Sequence, residues 1–91
     1  MKKQICILGS TGSIGTQALD VIEQHPDLYE VYCLTANNRV KELAEQARRY
    51  NPAAVVIANE DKYEELKSLL ADLPDIKVYA GKQAIDEIVE A

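Results

Sequence analysis

Ile5-Cys6-Ile7-Leu8-Gly9-Ser10-Thr11-Gly12-Ser13-Ile14-Gly15 is the stretch that decides the fold. Its apolar opening reads as a strand covered on both faces, its glycines as a sharp turn, and the residues from Ser13 onward as a helix start. Without a β-carbon at Gly9 and Gly12, the backbone turns tightly and comes close to a pyrophosphate, whose charge then faces the unpaired N–H groups of the first helical turn. Gly9, Gly12 and Gly15 lie three apart instead of following GxGxxG, so the surroundings carry the reading. Strand, turn, amphipathic helix and second strand make one βαβ unit. No Lys-Ser or Lys-Thr pair follows the glycines, which removes a Walker A loop, and a dinucleotide is the favoured ligand.

Outward from this segment, strands and helices alternate. The first strand is read over Lys3 to Leu8 and the first helix over Ser13 to about Gln24, with Ile14, Ala18, Val21 and Ile22 on one stripe and Pro26 ending it. Glu30 to Thr35 is the second strand. Val40 to Tyr50 is a helix with Val40, Leu43, Ala44, Ala47 and Tyr50 on one face, stopped by Asn51-Pro52. Ala54 to Ile57 is the third strand; Asn59 is read as the N-cap of a helix over Asp61 to Leu73 that buries Tyr63, Leu66, Leu69, Leu70 and Leu73. Ile76 to Tyr79 is a fourth strand, and Gln83 to Glu90 a last helix with Ile85, Ile88 and Val89 inward. The fold class is α/β: a Rossmann-like parallel sheet of four strands with helices on both faces, joined by short right-handed crossovers. The short Leu73-Pro74-Asp75 connection places the fourth strand beside the third, giving order 4-3-2-1 with Lys3 to Leu8 outermost; the alternative is 3-2-1-4.

The 91 residues correspond to one domain or part of one, and 15 acidic against 10 basic residues give a net charge of -5. With no basic cluster, this balance argues against nucleic acid and acidic membrane surfaces as partners. No apolar stretch reaches the length of a membrane span, and Met1-Lys2-Lys3 lacks the apolar core of a signal peptide, so a cytoplasmic location is expected. Cys6 and Cys33 read as small buried hydrophobes in a reducing compartment, with no metal-ligand spacing. His25, before Pro26, fits a helix end better than catalysis, and Glu64-Glu65 and Asp86-Glu87 fit solvated helix surfaces better than a metal site.

An Asp or Glu normally ends the second strand of an NAD-binding fold and holds the ribose 2′-hydroxyl. Thr35-Ala36-Asn37-Asn38-Arg39 fills that place here. A carboxylate there would repel a 2′-phosphate; its replacement by a guanidinium, which grips phosphate through two parallel hydrogen bonds, favours NADP.

Leu8-Gly-Ser-Thr-Gly-Ser-Ile-Gly15, Ala18-Leu-Asp-Val21, His25-Pro26 and Leu34-Thr-Ala-Asn-Asn-Arg-Val40 together resemble the start of the 1-deoxy-D-xylulose 5-phosphate reductoisomerases, and the resemblance runs across essentially the whole chain. It implies an enzyme dependent on NADPH and a divalent metal, Mg or Mn, that rearranges 1-deoxy-D-xylulose 5-phosphate and reduces it to 2-C-methyl-D-erythritol 4-phosphate in non-mevalonate isoprenoid synthesis. It also implies a homodimeric parent. Carried over by residue, the family's cofactor contacts fall on Thr11, Gly12, Ser13 and Ile14 around the pyrophosphate and on Asn37, Asn38 and Arg39 after the second strand. Ala36-Asn-Asn-Arg39 departs from the commoner Ala-Gly-Lys-Asn or Ala-Gly-Ser-Asn, and Asn37 is expected to keep the left-handed turn that Gly would adopt. Proteins of this family are several times longer, with metal and substrate-phosphate residues farther along. Residues 1–91 therefore read as an N-terminal NADP-binding fragment, inactive alone, with no catalytic residue and no metal ligand. Semialdehyde dehydrogenases and extended short-chain reductases open with similar glycine turns, and a non-catalytic NADP-sensing module is a further alternative. A nucleophilic cysteine, a Tyr-x-x-x-Lys pair or a carboxylate metal cluster elsewhere in the parent would separate the enzymes; a sensing module would carry none of them.

Overall fold

Four short runs, each closed by a turn or a proline, form strands β1 (Lys3–Ile7), β2 (Tyr29–Ala36), β3 (Ala54–Ile57) and β4 (Lys77–Ala80). The computed structural model describes residues 2–90, and the side chains of 2–87. All three strand pairings are parallel and the order is β1-β2-β3-β4, so β4 lies beside β3 and the alternative order is excluded. Helices α1 (Ser13–Gln24), α2 (Val40–Tyr50), α3 (Tyr63–Leu69) and α4 (Lys82–Glu90) alternate with the strands.

Each connection from β1 to β4 steps to the next neighbour, so right-handed crossovers put α1, α2 and α3 on one face of the sheet. The core between them joins Ile7, Leu34, Val55 and Ile57 from the strands to Leu19, Leu43, Ala47 and Leu66 from the helices. A bulge between Ile5 and Cys6 skips Tyr32: Ile5 pairs with Val31 and Cys6 with Cys33. That skip is why Val31 and Leu34 both reach this core. The alternate residues Cys33, Ala54 and Val56 are buried outside it, and α4 packs on β3 and β4.

The structure moves several sequence expectations. In α1 the buried residues are Gly15, Leu19 and Ile22, whereas Ile14 is 82% and Val21 52% exposed. The cause is Gly15: a β-carbon there would lie 2.3 Å from the Gly9 carbonyl oxygen, and this close backbone approach sets the helix rotation. The helix expected over Asp61 to Leu73 is a 3-10 turn over Glu60–Lys62, followed by α3 and then by tight turns. Asn59 caps as expected, accepting from the Asp61 N–H at 3.0 Å. The early end follows from Pro74, which keeps Leu73 out of helical geometry; Leu73 N–H instead bonds the Leu70 carbonyl. Leu66 and Leu70 are buried, Tyr63 and Leu73 half-buried, and Leu69 exposed.

Leu8 belongs to the turn, not to β1, and is 57% exposed. β4 begins one residue later than expected, leaving Ile76 buried before it. Cys33 is fully buried, and burial beside Cys6 pushes its thiol far above the usual range. Cys6, on the outer strand, is only half-buried. Ile85 is half-buried, while the side chains of Ile88 and Val89 lie outside the described residues.

Candidate functional site

In a parallel sheet every strand delivers its following loop to the same edge, and the loops after β1 and β2 are neighbours there. The β1 loop turns because Gly9 adopts φ +69°, a conformation suited to glycine. Its backbone is then fixed from several sides. Gly9 N–H donates to Thr35 Oγ1 at 2.9 Å, Ser10 N–H to the Thr35 carbonyl at 2.8 Å, and Gly12 N–H to the Gly9 carbonyl at 3.0 Å. Gln46, from α2, donates through Nε2 to the Ser10 carbonyl at 2.8 Å.

This pinned turn ends at Gly12, the N-cap of α1, and no side chain caps the helix. The N–H groups of Ser13, Ile14 and Gly15 therefore have no intrahelical acceptor, and no acidic residue sits in the first turn to offset the positive end of the helix. Thr16 holds the turn from behind, its hydroxyl donating to the carbonyls of Gly12 and Ser13 at 3.0 Å each. Gly12, Ser13 and Ile14 are exposed and Thr11 half-buried. Such an end, with bare N–H donors and no competing carboxylate, is suited to an anion.

Asn37, Asn38 and Arg39 lie on the adjoining loop, all exposed. Asn59 N–H donates to the Asn37 carbonyl at 3.0 Å, and Asn59 Nδ2 to Asn38 Oδ1 at 2.7 Å, which ties this loop to the one after β3. Arg39 is the N-cap of α2, and among the described residues the ion pairs use Arg48 with Asp72 and Arg49 with Glu23 instead, leaving its guanidinium outside them. The expectation of a left-handed Asn37 is not met. Asn51, at φ 49°, is the single non-glycine residue with positive φ among those described; it closes α2 before Pro52. Asn37 prolongs the ladder between β2 and β3 after the bond from Ala58 N–H to the Ala36 carbonyl, and the ladder fixes its backbone.

A cleft of about 710 Å³ opens farther along the same edge, with Glu60, Asp61, Lys82 and Glu87 in its lining. Its carboxylates make it a poorer phosphate seat than the glycine turn. Among the described residues no three His, Cys, Asp or Glu side chains gather in a metal-binding group. No helix is long and apolar enough to cross a membrane, again among the described residues.

Sequence reading missed two residues that shape the turn. Thr35 looked like an ordinary strand end. Gln46 sits at the border of the apolar stripe of α2, and that polar intrusion is the signal that could have found it.

A family model described as 1-deoxy-D-xylulose 5-phosphate reductoisomerase matches residues 5–91. The reductoisomerase of Phocaeicola vulgatus is 72% identical over 91 residues, covering 100% of this chain and 24% of its own. That of Microcystis aeruginosa is 47% identical over 87 residues, 94% of this chain and 22% of its own. The Zymomonas mobilis reductoisomerase in complex with NADPH superposes with a TM-score of 0.90 at 42% identity, over 96% of this chain and 23% of that one. The chain thus spans about a quarter of the length of the curated relatives it matches. Over that quarter the sequence and the superposed fold agree, and the chain belongs to the 1-deoxy-D-xylulose 5-phosphate reductoisomerase family.

Proposed function

We propose that these residues seat the adenosine half of NADPH, with the pyrophosphate over Thr11, Gly12, Ser13 and Ile14 and the 2′-phosphate at Asn37, Asn38 and Arg39. One observation carries the reading: the uncapped start of α1, fixed by the pinned glycine turn, lies beside a loop whose arginine is outside the ion pairs. Gly12 leaves the space over those N–H groups open, with no side chain to fill it. A structural relative in complex with NADPH supports the same choice of ligand.

The whole protein is proposed to rearrange 1-deoxy-D-xylulose 5-phosphate and reduce it with NADPH to 2-C-methyl-D-erythritol 4-phosphate, as a cytoplasmic homodimer acting on a sugar phosphate, with neither nucleic acid nor membrane as partner. Its divalent metal, Mg or Mn, is assigned to carboxylates outside these residues; a relative is solved with NADPH, fosmidomycin and magnesium. Within residues 1–91 the side chains bind and orient the cofactor, and none is given a catalytic part. Alone, this segment should bind weakly, because a dinucleotide lies across both halves of its fold.

Arg39→Ala tests the 2′-phosphate assignment. In the full-length protein it should weaken NADPH by about 1.5 to 3 kcal/mol, the worth of a hydrogen bond to a charged group, and leave NADH nearly unchanged. Titrations showing equal losses for both would defeat the assignment.

A further inference from the structure

We infer that Gln46 is a positioning residue for the dinucleotide seat, acting through the Ser10 peptide, an inference that rests on the NADPH-binding reading above. Gln46 stands on α2 between Leu43 and Ala47, both fully buried, and reaches across 36 residues of sequence to donate to the Ser10 carbonyl at 2.8 Å. Its other amide atom, Oε1, is buried with no partner, and so is Ser10 Oγ. Unpartnered buried polar atoms are unfavourable, so Oε1 carries a cost, and the group that Gln46 satisfies in return is the carbonyl of the fully buried Ser10.

The amide thus satisfies one buried carbonyl, and the bond that does so also sets a direction. A trans peptide is planar, with its C=O and the following N–H pointing to opposite sides. By drawing the Ser10 carbonyl toward α2, Gln46 turns the Thr11 N–H away from α2, toward the open side of the turn. Thr35 fixes the preceding peptide through Ser10 N–H, so neither peptide can rotate freely. Gln46 thus orients a donor for the pyrophosphate while standing behind the turn.

The test uses the full-length protein with Gln46→Met, which removes the donor, and Gln46→Glu, which keeps the shape but offers only acceptors. NADPH, NADH and 2′-AMP are titrated into each after a thermal melt has shown it folded. Both variants should bind NADPH and NADH about tenfold more weakly, while 2′-AMP, which has no pyrophosphate, binds as before. If Gln46→Met does not fold, Gln46→Glu decides. Unchanged NADPH affinity would overturn the inference, as would a loss shared by 2′-AMP, the mark of general loosening. Failure of the unsubstituted protein to bind NADPH would instead overturn the functional reading, and the inference with it.

Discussion

Gly15→Ala is expected to lower the stability of the domain by about 2 kcal/mol or more and to take cofactor affinity with it. Two effects oppose each other. Alanine in place of glycine inside a helix contributes about 1 kcal/mol through propensity. Against this, the added β-carbon would stand 2.3 Å from the Gly9 carbonyl oxygen and 2.6 Å from Ser10 Cα, both backbone atoms that no rotamer change can move. Overpacking costs roughly 1 to 3 kcal/mol where side chains yield, and more where they cannot, so the clash outweighs the propensity. For a domain of this size, thermal unfolding should shift down by roughly 8 to 16 °C. An unchanged or raised midpoint would mean that the turn gives way without cost and that Gly15 does not set the seat of α1.

Gly12→Val should do the reverse, leaving the fold intact and abolishing binding. Gly12 has φ -82° and ψ 171°, an extended conformation open to any residue, and the nearest atom to an added β-carbon is the Gly9 carbonyl oxygen at 3.4 Å. The domain should therefore melt within a few degrees of the unsubstituted protein. Yet valine would stand over the N–H groups of Ser13 and Ile14, where the pyrophosphate is proposed to rest. A loss of NADPH affinity of more than about a hundredfold is expected in full-length protein, some 3 kcal/mol. Unchanged affinity would put the phosphate seat elsewhere. Glycines three positions apart thus have different duties, one serving packing and one serving the ligand.

Much of this architecture was legible in the chain because it rests on local signals. The buried face of α2 emerged residue by residue from its spacing, and β3 matched its expected bounds, because Asn51-Pro52 and Asn59 mark their ends chemically. The order of the strands followed from the shortness of the connection at Pro74. What escaped was set by tertiary contact. The rotation of α1 depends on how closely its backbone meets a loop, which the pattern of Ile14, Ala18 and Val21 does not encode. Asn37 and Asn51 are the same residue type, but one is held by a ladder and the other ends a helix, so only the second is left-handed. The anchoring bonds of Thr35 and Gln46 join positions 26 and 36 residues apart, beyond the reach of periodicity.

A crystal structure of the full-length protein with NADPH bound would decide where the cofactor sits. The pyrophosphate oxygens should lie within hydrogen-bond distance of the backbone N–H groups of Ser13 and Ile14, and the 2′-phosphate on the Arg39 guanidinium. NADPH lying instead in the cleft between Glu60 and Lys82, or with Arg39 turned away from the 2′-phosphate, would contradict this placement.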